Sequence, residues 1–550
     1  MKTIVSIIGL ILFWQTGAAQ WFQITKQRNI GAEGSGIGMF SYDQIHRLPN
    51  GNLCLTTYAN QDTLYDKMIW GYGDGDAWYL EMDTAFSSVK QWIIGGDKAD
   101  RLQYAILTSD SCLLSLFMSI SDSGYDKSQN NKGDNDYWIV KTDINGNKLW
   151  DITLGSAYED VPNRIYETSD STYLVLGNSA TPFPSGDVSD SAQSDAPWFV
   201  ILDKNGNLIN EYRIHPTLTI PYALSYLPFN LYAIHFRIAV GGAWTNSPGQ
   251  FGALVLESDT TIFASWGNMF VGGLGGGYGG VIYDNKTDNF YYALHFGVVD
   301  TNQNCHEISR GGVDGMVYKT DWLGNIIWTK LYGNDCRDYL AGVIDYNDTL
   351  LLAYGQTNSS AGNEISSTVH AYDTNCTISR PNLWLLLINK NNPLQYFDTI
   401  FGGNRSDGCW TNSLTRYDDS TFYWVTASSS DSSFEKTTHK HDTTLNKNEL
   451  WLIKMIISPY ALSGAGWHTA EASAPPLLYP NPATDILNVM FDSKKPYKLI
   501  IHNIQGATVL TSNCSAGPCN IFIGNLPPAI YTYTVTMQDG TSFYGKFIKN

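Results

Sequence analysis

Basic residues are scarce in this chain, 34 Lys and Arg against 52 Asp and Glu, for a formal net charge of −18. Such a chain repels a phosphate backbone, which argues against nucleic acid as a partner. Charged residues of both signs together make only 16% of 550 residues. Long apolar runs are also missing after the extreme N-terminus. The longest, around Leu383 to Ile388, suits a buried strand and falls far short of a membrane span. Catalytic signatures are lacking as well. There is no Gly-x-Ser-x-Gly elbow and no Cys-x-x-Cys pair, and His306-Glu307 lacks the second His of a zinc-protease helix. No catalytic constellation is identifiable, and no cofactor is expected.

What is abundant is aromatic residues (13%) and glycine (50 copies), a balance that favours all-β structure with many turns. The stretch Asp136 to Gly177 shows the pattern. Trp138, Val140 and Thr142 alternate with Ile139 and Lys141, and Asn145-Gly146-Asn147 turns the chain into a second strand, Lys148 to Thr153. A second hairpin, Ile165 to Glu167 with Tyr173 to Leu176, bends at Ser169-Asp170-Ser171.

The rest of the chain repeats this unit. Trp78, Trp138 and Trp198 each have an Asp five positions later; Leu254 and Met316 keep the Asp without the Trp, and Trp384 and Trp451 keep the Trp without the Asp. Gly95/Asp100, Gly155/Asp160, Gly333/Asp338 and Gly402/Asp407 form a second marker in the same register. Trp451 opens a unit with no second hairpin after it, and Gln44 to Tyr58 is a second hairpin with no first one before it. Joined, they complete a seventh unit. The expectation is a seven-bladed β-propeller over residues 20–457, its last blade closed by both termini. A linear β-solenoid is the alternative, though its repeats are usually shorter and need no split unit.

Short Gly/Asn/Asp turns alternate with longer, varied links such as Gly155 to Pro162 and Ala180 to Pro197, so the long-loop face is the expected recognition face. Eight cysteines permit disulfides in an exported chain. Their positions suggest Cys305–Cys336, Cys376–Cys409 and Cys514–Cys519, with Cys54 and Cys112 in strands of neighbouring blades, where buried free thiols are one expectation. Gly272 to Gly280 carries a Gly-x-Gly-x-x-Gly spacing but reads as a flexible loop. His439-Lys440-His441-Asp442 has two imidazoles for a metal, against a solvated loop as the simpler reading. Asp-rich loops, with Asp187, Asp190 and Asp195 the best candidates, offer oxygen ligands for Ca²⁺ or serve turns directly. The repeated Asp100, Asp160, Asp338 and Asp407 are expected to stabilise turns.

Met1 to Ala19 has the layout of a secretory signal peptide, with cleavage before Gln20; a retained anchor is the alternative. Ser458 to Pro476 reads as a linker, and residues 477–550 as a small antiparallel β-sandwich. The repeat is somewhat similar to the blades of pyrroloquinoline-quinone-type propellers. It more closely resembles the Trp-containing propeller repeats of exported Bacteroidetes proteins. The last seventy-odd residues resemble the type A C-terminal sorting domain of the type IX secretion system, through Tyr479-Pro480-Asn481-Pro482, Leu526-Pro527, Ile530-Tyr531 and Gly545-Lys546-Phe547-Ile548-Lys549. Ala529 departs from the family's usual Gly. The resemblance implies export across the outer membrane by the type IX machinery, removal of this domain, and release or attachment at the cell surface. A binding or interaction protein for an extracellular glycan or protein is the expected role. The alternative is a propeller enzyme acting on polysaccharide.

Overall fold

Local turn chemistry sets the strand pairs. Asp143 accepts the N–H groups of Asn145 and Asn147 at 2.8 and 2.9 Å, and its second oxygen takes the Asn147 side-chain amide at 2.8 Å. Gly146 turns the chain there at φ +81°, a conformation costly for other residues. Asp203 and Asp321 repeat the arrangement. Hydrogen bonds from the Asn207 side chain first, and then its backbone N–H, hold the Asp203 carboxyl below its ordinary value.

The computed structural model describes residues 21–31, 43–59, 63, 65–168, 171–190, 196–213, 219–227, 231–238, 249–256, 262–270, 272–298, 307, 309–362, 364–366, 369, 376, 380–409, 413–441, 448–457, 468–469, 477–479, 483–490, 496–503, 507–515, 517, 519–537 and 542–550. The expected signal peptide, Asp195, Cys305, Asp442 and Pro480-Asn481-Pro482 lie outside them. No helix among them is long and apolar enough to cross a membrane.

Seven antiparallel sheets occupy Phe22 to Ile457 among the described residues. Sheet one is Gln44–Arg47, Leu53–Ala59, Asp76–Met82 and Ser88–Ile94. Sheet two is Asp100–Leu107, Cys112–Ser119, Asp136–Asp143 and Lys148–Leu154; sheet three is Asp160–Glu167, Tyr173–Ser179, Ala196–Leu202 and Leu208–Arg213. Sheet four is Thr219–Leu227, Leu231–Ile238, Gly249–Leu256 and Ile262–Phe270. Sheet five is Gly272–Asp284, Asn289–Val298, Asp314–Asp321 and Ile326–Tyr332. Sheet six is Asp338–Asp345, Leu350–Thr357, Asn382–Asn389 and Gln395–Phe401. Sheet seven combines Asp407–Gly408 and Leu414–Arg416, Thr421–Ser428 and Glu449–Ile457 with Phe22–Ile30 from the N-terminus. Each sheet touches the next, and sheet seven touches sheet one, so the order closes on itself as a β-propeller. Apolar side chains fill the space between sheets. Leu53, Leu55 and Trp78 of sheet one meet Leu450 and Leu452 of sheet seven, for example.

The closure differs from the expected one. The hairpin Gln44 to Tyr58 joins the Trp78 strand of sheet one, not the Trp451 strand. Trp451 instead pairs with Asn29 on Phe22–Ile30, a strand that the repeat pattern did not reveal. Each sheet therefore takes its first two strands from the second hairpin of one sequence unit and its last two from the first hairpin of the next. A periodic sequence has no phase: the hairpins are legible, but which link stays inside a sheet is settled by packing.

Two further expectations are corrected. Gly272–Asp284 is a strand pairing with Asn289–Val298, not a flexible loop. A Cβ at Gly279 would overlap the Ala293 carbonyl, so glycine there permits close backbone approach. Cysteine pairing also differs, because Cys336 joins Cys376, at a Cα separation of 5.4 Å, in place of Cys305–Cys336 and Cys376–Cys409. Cys336 lies in the link entering sheet six and Cys376 in that sheet's own long loop, at the same end of the strands. The matching sequence separations reflected the repeat, not proximity. Cys409 is a buried free thiol, as is Cys54, while Cys112 is free and half-buried. Within the expected linker, His468–Thr469 adds a short strand beside Gln395–Phe401.

The C-terminal segment is a sandwich of two sheets. One has three strands, Leu477–Tyr479, Ile486–Met490 and Cys519–Phe522. The other has four, Thr508–Cys514, Tyr497–His502, Ala529–Met537 and Ser542–Lys549. Cys514 and Cys519 are disulfide-bonded.

Candidate functional site

Two repeated devices build the long-loop face. The first satisfies the buried tryptophans. Trp138 donates its indole N–H to Asp151 Oδ2 at 3.0 Å, and the same oxygen accepts the backbone N–H of Ser128, in the loop between the second and third strands, at 2.8 Å. Trp78–Gln91–Met68, Trp198–Glu211–Ser189 and Trp384–Asp398–Ser366 repeat this link from indole to outer-strand side chain to loop backbone. In sheet seven the acceptor comes from the other end of the chain: Gln27 Oε1 takes Trp451 Nε1 at 3.2 Å and the Thr437 N–H at 3.0 Å. Burial of the ring thus also pins the loop.

The second device is a carboxyl group at the strand entrance. Asp76, Asp100, Asp136, Asp160, Asp314, Asp338 and Asp407 each accept the N–H of the residue four positions earlier, at 2.5 to 2.9 Å. All seven are fully buried. Burial pushes Asp76 and Asp338 up to about 7 and Asp136 and Asp314 up to about 6. These groups hold loops in place and do not reach solvent.

The sequence-derived metal candidates are engaged elsewhere. Asp187 pairs with Lys132 and accepts the Gly155 N–H at 2.9 Å, while the Asp190 carbonyl takes Arg213 at 3.2 Å. His441 lies between Glu449 (3.2 Å) and Asp66 (3.5 Å), and His439 lies 3.2 Å from Asp431. Among the described residues no three His, Cys, Asp or Glu side chains converge on a point that could hold a metal.

Aromatic rings distinguish the face. Every exposed ring among the described residues between Phe22 and Ile457 lies in its loops: Trp70 and Tyr72, Tyr125, Tyr158, Phe183, Phe434, and Tyr65 beside His441. Tyr72 and Tyr125, from the loops of sheets one and two, stack at 4.7 Å with their planes 11° apart. A tight turn recurs at Gly124–Lys127, Ser185–Val188 and Ser433–Lys436. Its second residue has positive φ each time, in Tyr125 (+52°), Gly186 (+59°) and Phe434 (+53°). Glycine adopts that conformation freely, whereas an aromatic residue pays about 1–2 kcal/mol. Tyr125 and Phe434 are 67% and 61% exposed, so burial does not offset that cost. Sequence reading missed these rings. The available signal was the alignment of Ser-Gly-Tyr-Asp-Lys (123–127) with Ser-Ser-Phe-Glu-Lys (432–436) around one turn.

Fold and loops together define a β-propeller that carries a separate C-terminal sandwich. Residues 477–550 match the family model described as the secretion system C-terminal sorting domain. That match supports sorting by the type IX system and implies secretion. Of the sorting-motif residues, Tyr531 and Phe547 are buried and stack at 5.5 Å, and the Tyr531 hydroxyl donates to the Pro527 carbonyl at 2.8 Å. Leu526 packs against the same core, Tyr479 pairs with Asn488, Gly545 pairs with Tyr533, and Lys546 is exposed.

No curated protein matches the chain. Among solved structures it is similar to the Neurospora crassa Pan2 WD40 domain, at 9% identity over 82% of this chain and 97% of that one (TM-score 0.44). The phage phi92 endosialidase is similar at 9% identity over 94% and 87% (0.39), and the Penicillium chrysogenum alpha-L-arabinanase at 9% over 60% and 93% (0.36).

Proposed function

We propose that this protein is an exported binding module whose long-loop face takes an extracellular ligand. Residues 1–19 serve as the export signal, 20–457 form the binding body, and 458–476 connect it to the sorting domain at 477–550. The observation that carries this reading is the confinement of exposed rings to one face, two of them kept at positive φ where glycine suffices. Such strain without burial points to a use outside the fold. The seven repeated carboxyls are buried and committed to loop N–H groups, so they do not supply the two cleft-facing carboxyls that a glycosidase needs.

Two experiments test this. Deleting 477–550 leaves the chain in the periplasm while the full chain reaches the medium or surface; equal export of both contradicts the sorting role. Purified full chain, screened against extracellular glycans and proteins and assayed in parallel for hydrolysis, binds without turnover. Release of sugar from any polysaccharide overturns the reading.

A further inference from the structure

The rings of sheets one to three sit in an acidic setting. The described loops at 65–75, 95–99, 120–135, 155–159 and 180–190 carry nine carboxylates and four lysines, and no arginine. Lys67 and Lys127 are buried, and the Lys127 ammonium is bonded to Ser119, the Ser121 carbonyl and Asn131. Lys98 pairs with Asp122 at 3.3 Å and Lys132 pairs with Asp187. Asp74, Asp97, Asp134 and Glu159 remain exposed around the rings. The Tyr72 phenol registers this field: burial first, then Asp126 and Asp76, push it above its ordinary value.

Aromatic faces and carboxylates attract the same kind of partner. A cation gains from the ring quadrupole and from the net negative field at once, and an anionic polymer is repelled by both. We propose that the arc formed by Trp70, Tyr72 and Tyr125 binds a cationic, lysine- or arginine-rich polypeptide segment. Side chains of that segment lie over the open ring faces, with Asp74, Asp97 and Asp134 neutralising them. The loops are set before binding: Ser128 and Met68 are tied to Asp151 and Gln91, and Asp126 exchanges hydrogen bonds with Gly95 through its own N–H (3.1 Å) and carboxylate (3.2 Å). Little ordering remains for the ligand to impose. This proposal rests on the reading of the long-loop face as the binding face.

The test uses the full chain, with fluorescently labelled deca-lysine and a neutral cello-oligosaccharide as probes. The variants are Tyr125→Gly and Trp70→Ala. Neither changes the charge, and Gly186 shows that the turn accepts glycine. Deca-lysine is expected to bind in a salt-sensitive manner, with each variant weaker and the double variant about five- to tenfold weaker at an unchanged melting temperature. Equal deca-lysine binding by all variants means charge alone and overturns the proposal. Ring-dependent binding of the oligosaccharide, without ring dependence for deca-lysine, overturns the cationic class and leaves the face intact. No ring dependence for either probe removes both.

Discussion

Asn382 opens the third strand of sheet six, where Asp76, Asp136 and Asp314 open the third strands of sheets one, two and five. Its amide nitrogen donates to the Gly403 carbonyl at 3.1 Å and to Asp407 at 3.3 Å. Asp136 Oδ1 faces Gly155 as the Asn382 amide faces Gly402, but it has no partner. A donor suits that corner, and a buried carboxylate meets it best when protonated, which agrees with burial raising Asp136 to about 6. Because the folded-state values of these aspartates exceed the ordinary aspartate value of 3.8, the folded state binds more protons than the unfolded state between about pH 4 and 7. Their stabilising contribution is complete below that window and is lost as pH rises through 6 to 7. Lys127 and Lys436, lowered by burial to about 8, stay charged throughout it. Urea denaturation as a function of pH therefore shows stability falling from pH 5 to 7.5, and Asp136→Asn shows a shallower fall and equal or higher stability at pH 7.5. A variant less stable than the parent at pH 7.5 contradicts the donor assignment.

Between strands and loops, the tryptophan link is the critical joint. Asp151→Ala leaves the Trp138 indole and the Ser128 N–H without their acceptor, which costs about 1–3 kcal/mol. Hydrogen exchange should quicken in 120–135 more than in the strands of sheet two; uniform change across the sheet means that the loop is held by other contacts. The disulfide acts between loops. Cys336→Ser, with peptide mapping under non-reducing conditions, should cost about 2–4 kcal/mol and abolish the crosslinked Cys336–Cys376 peptide. Recovery of a Cys376–Cys409 peptide from the parent chain contradicts the pairing. At this scale sequence reading was partly successful. Turn residues such as Asp143, Gly146 and Asn147 announce their hairpin because they act on neighbours within four positions. The partners of Trp138 and Cys336 lie 13 and 40 residues away, beyond the reach of any local pattern.

For the whole molecule, closure depends on Phe22–Ile30. Without it, Glu449–Ile457 becomes a bare edge, and Trp451 and Thr437 lose Gln27. Deleting 21–31 should lower the melting temperature sharply and expose sheet seven to limited proteolysis; an unchanged melting temperature means that the ring closes without this strand. Repetition, all-β composition, and the sandwich at the end of the chain could be derived from sequence alone. Alternating apolar positions and turn residues carry their physical reasons within a few residues. The phase of the sheets, the strand borrowed from the N-terminus, the Cys336–Cys376 bond and the gathering of exposed rings on one acidic face were decided only by tertiary structure. Each brings together residues far apart in sequence, and long-range packing, not local conformational preference, selects among the arrangements that a periodic chain allows.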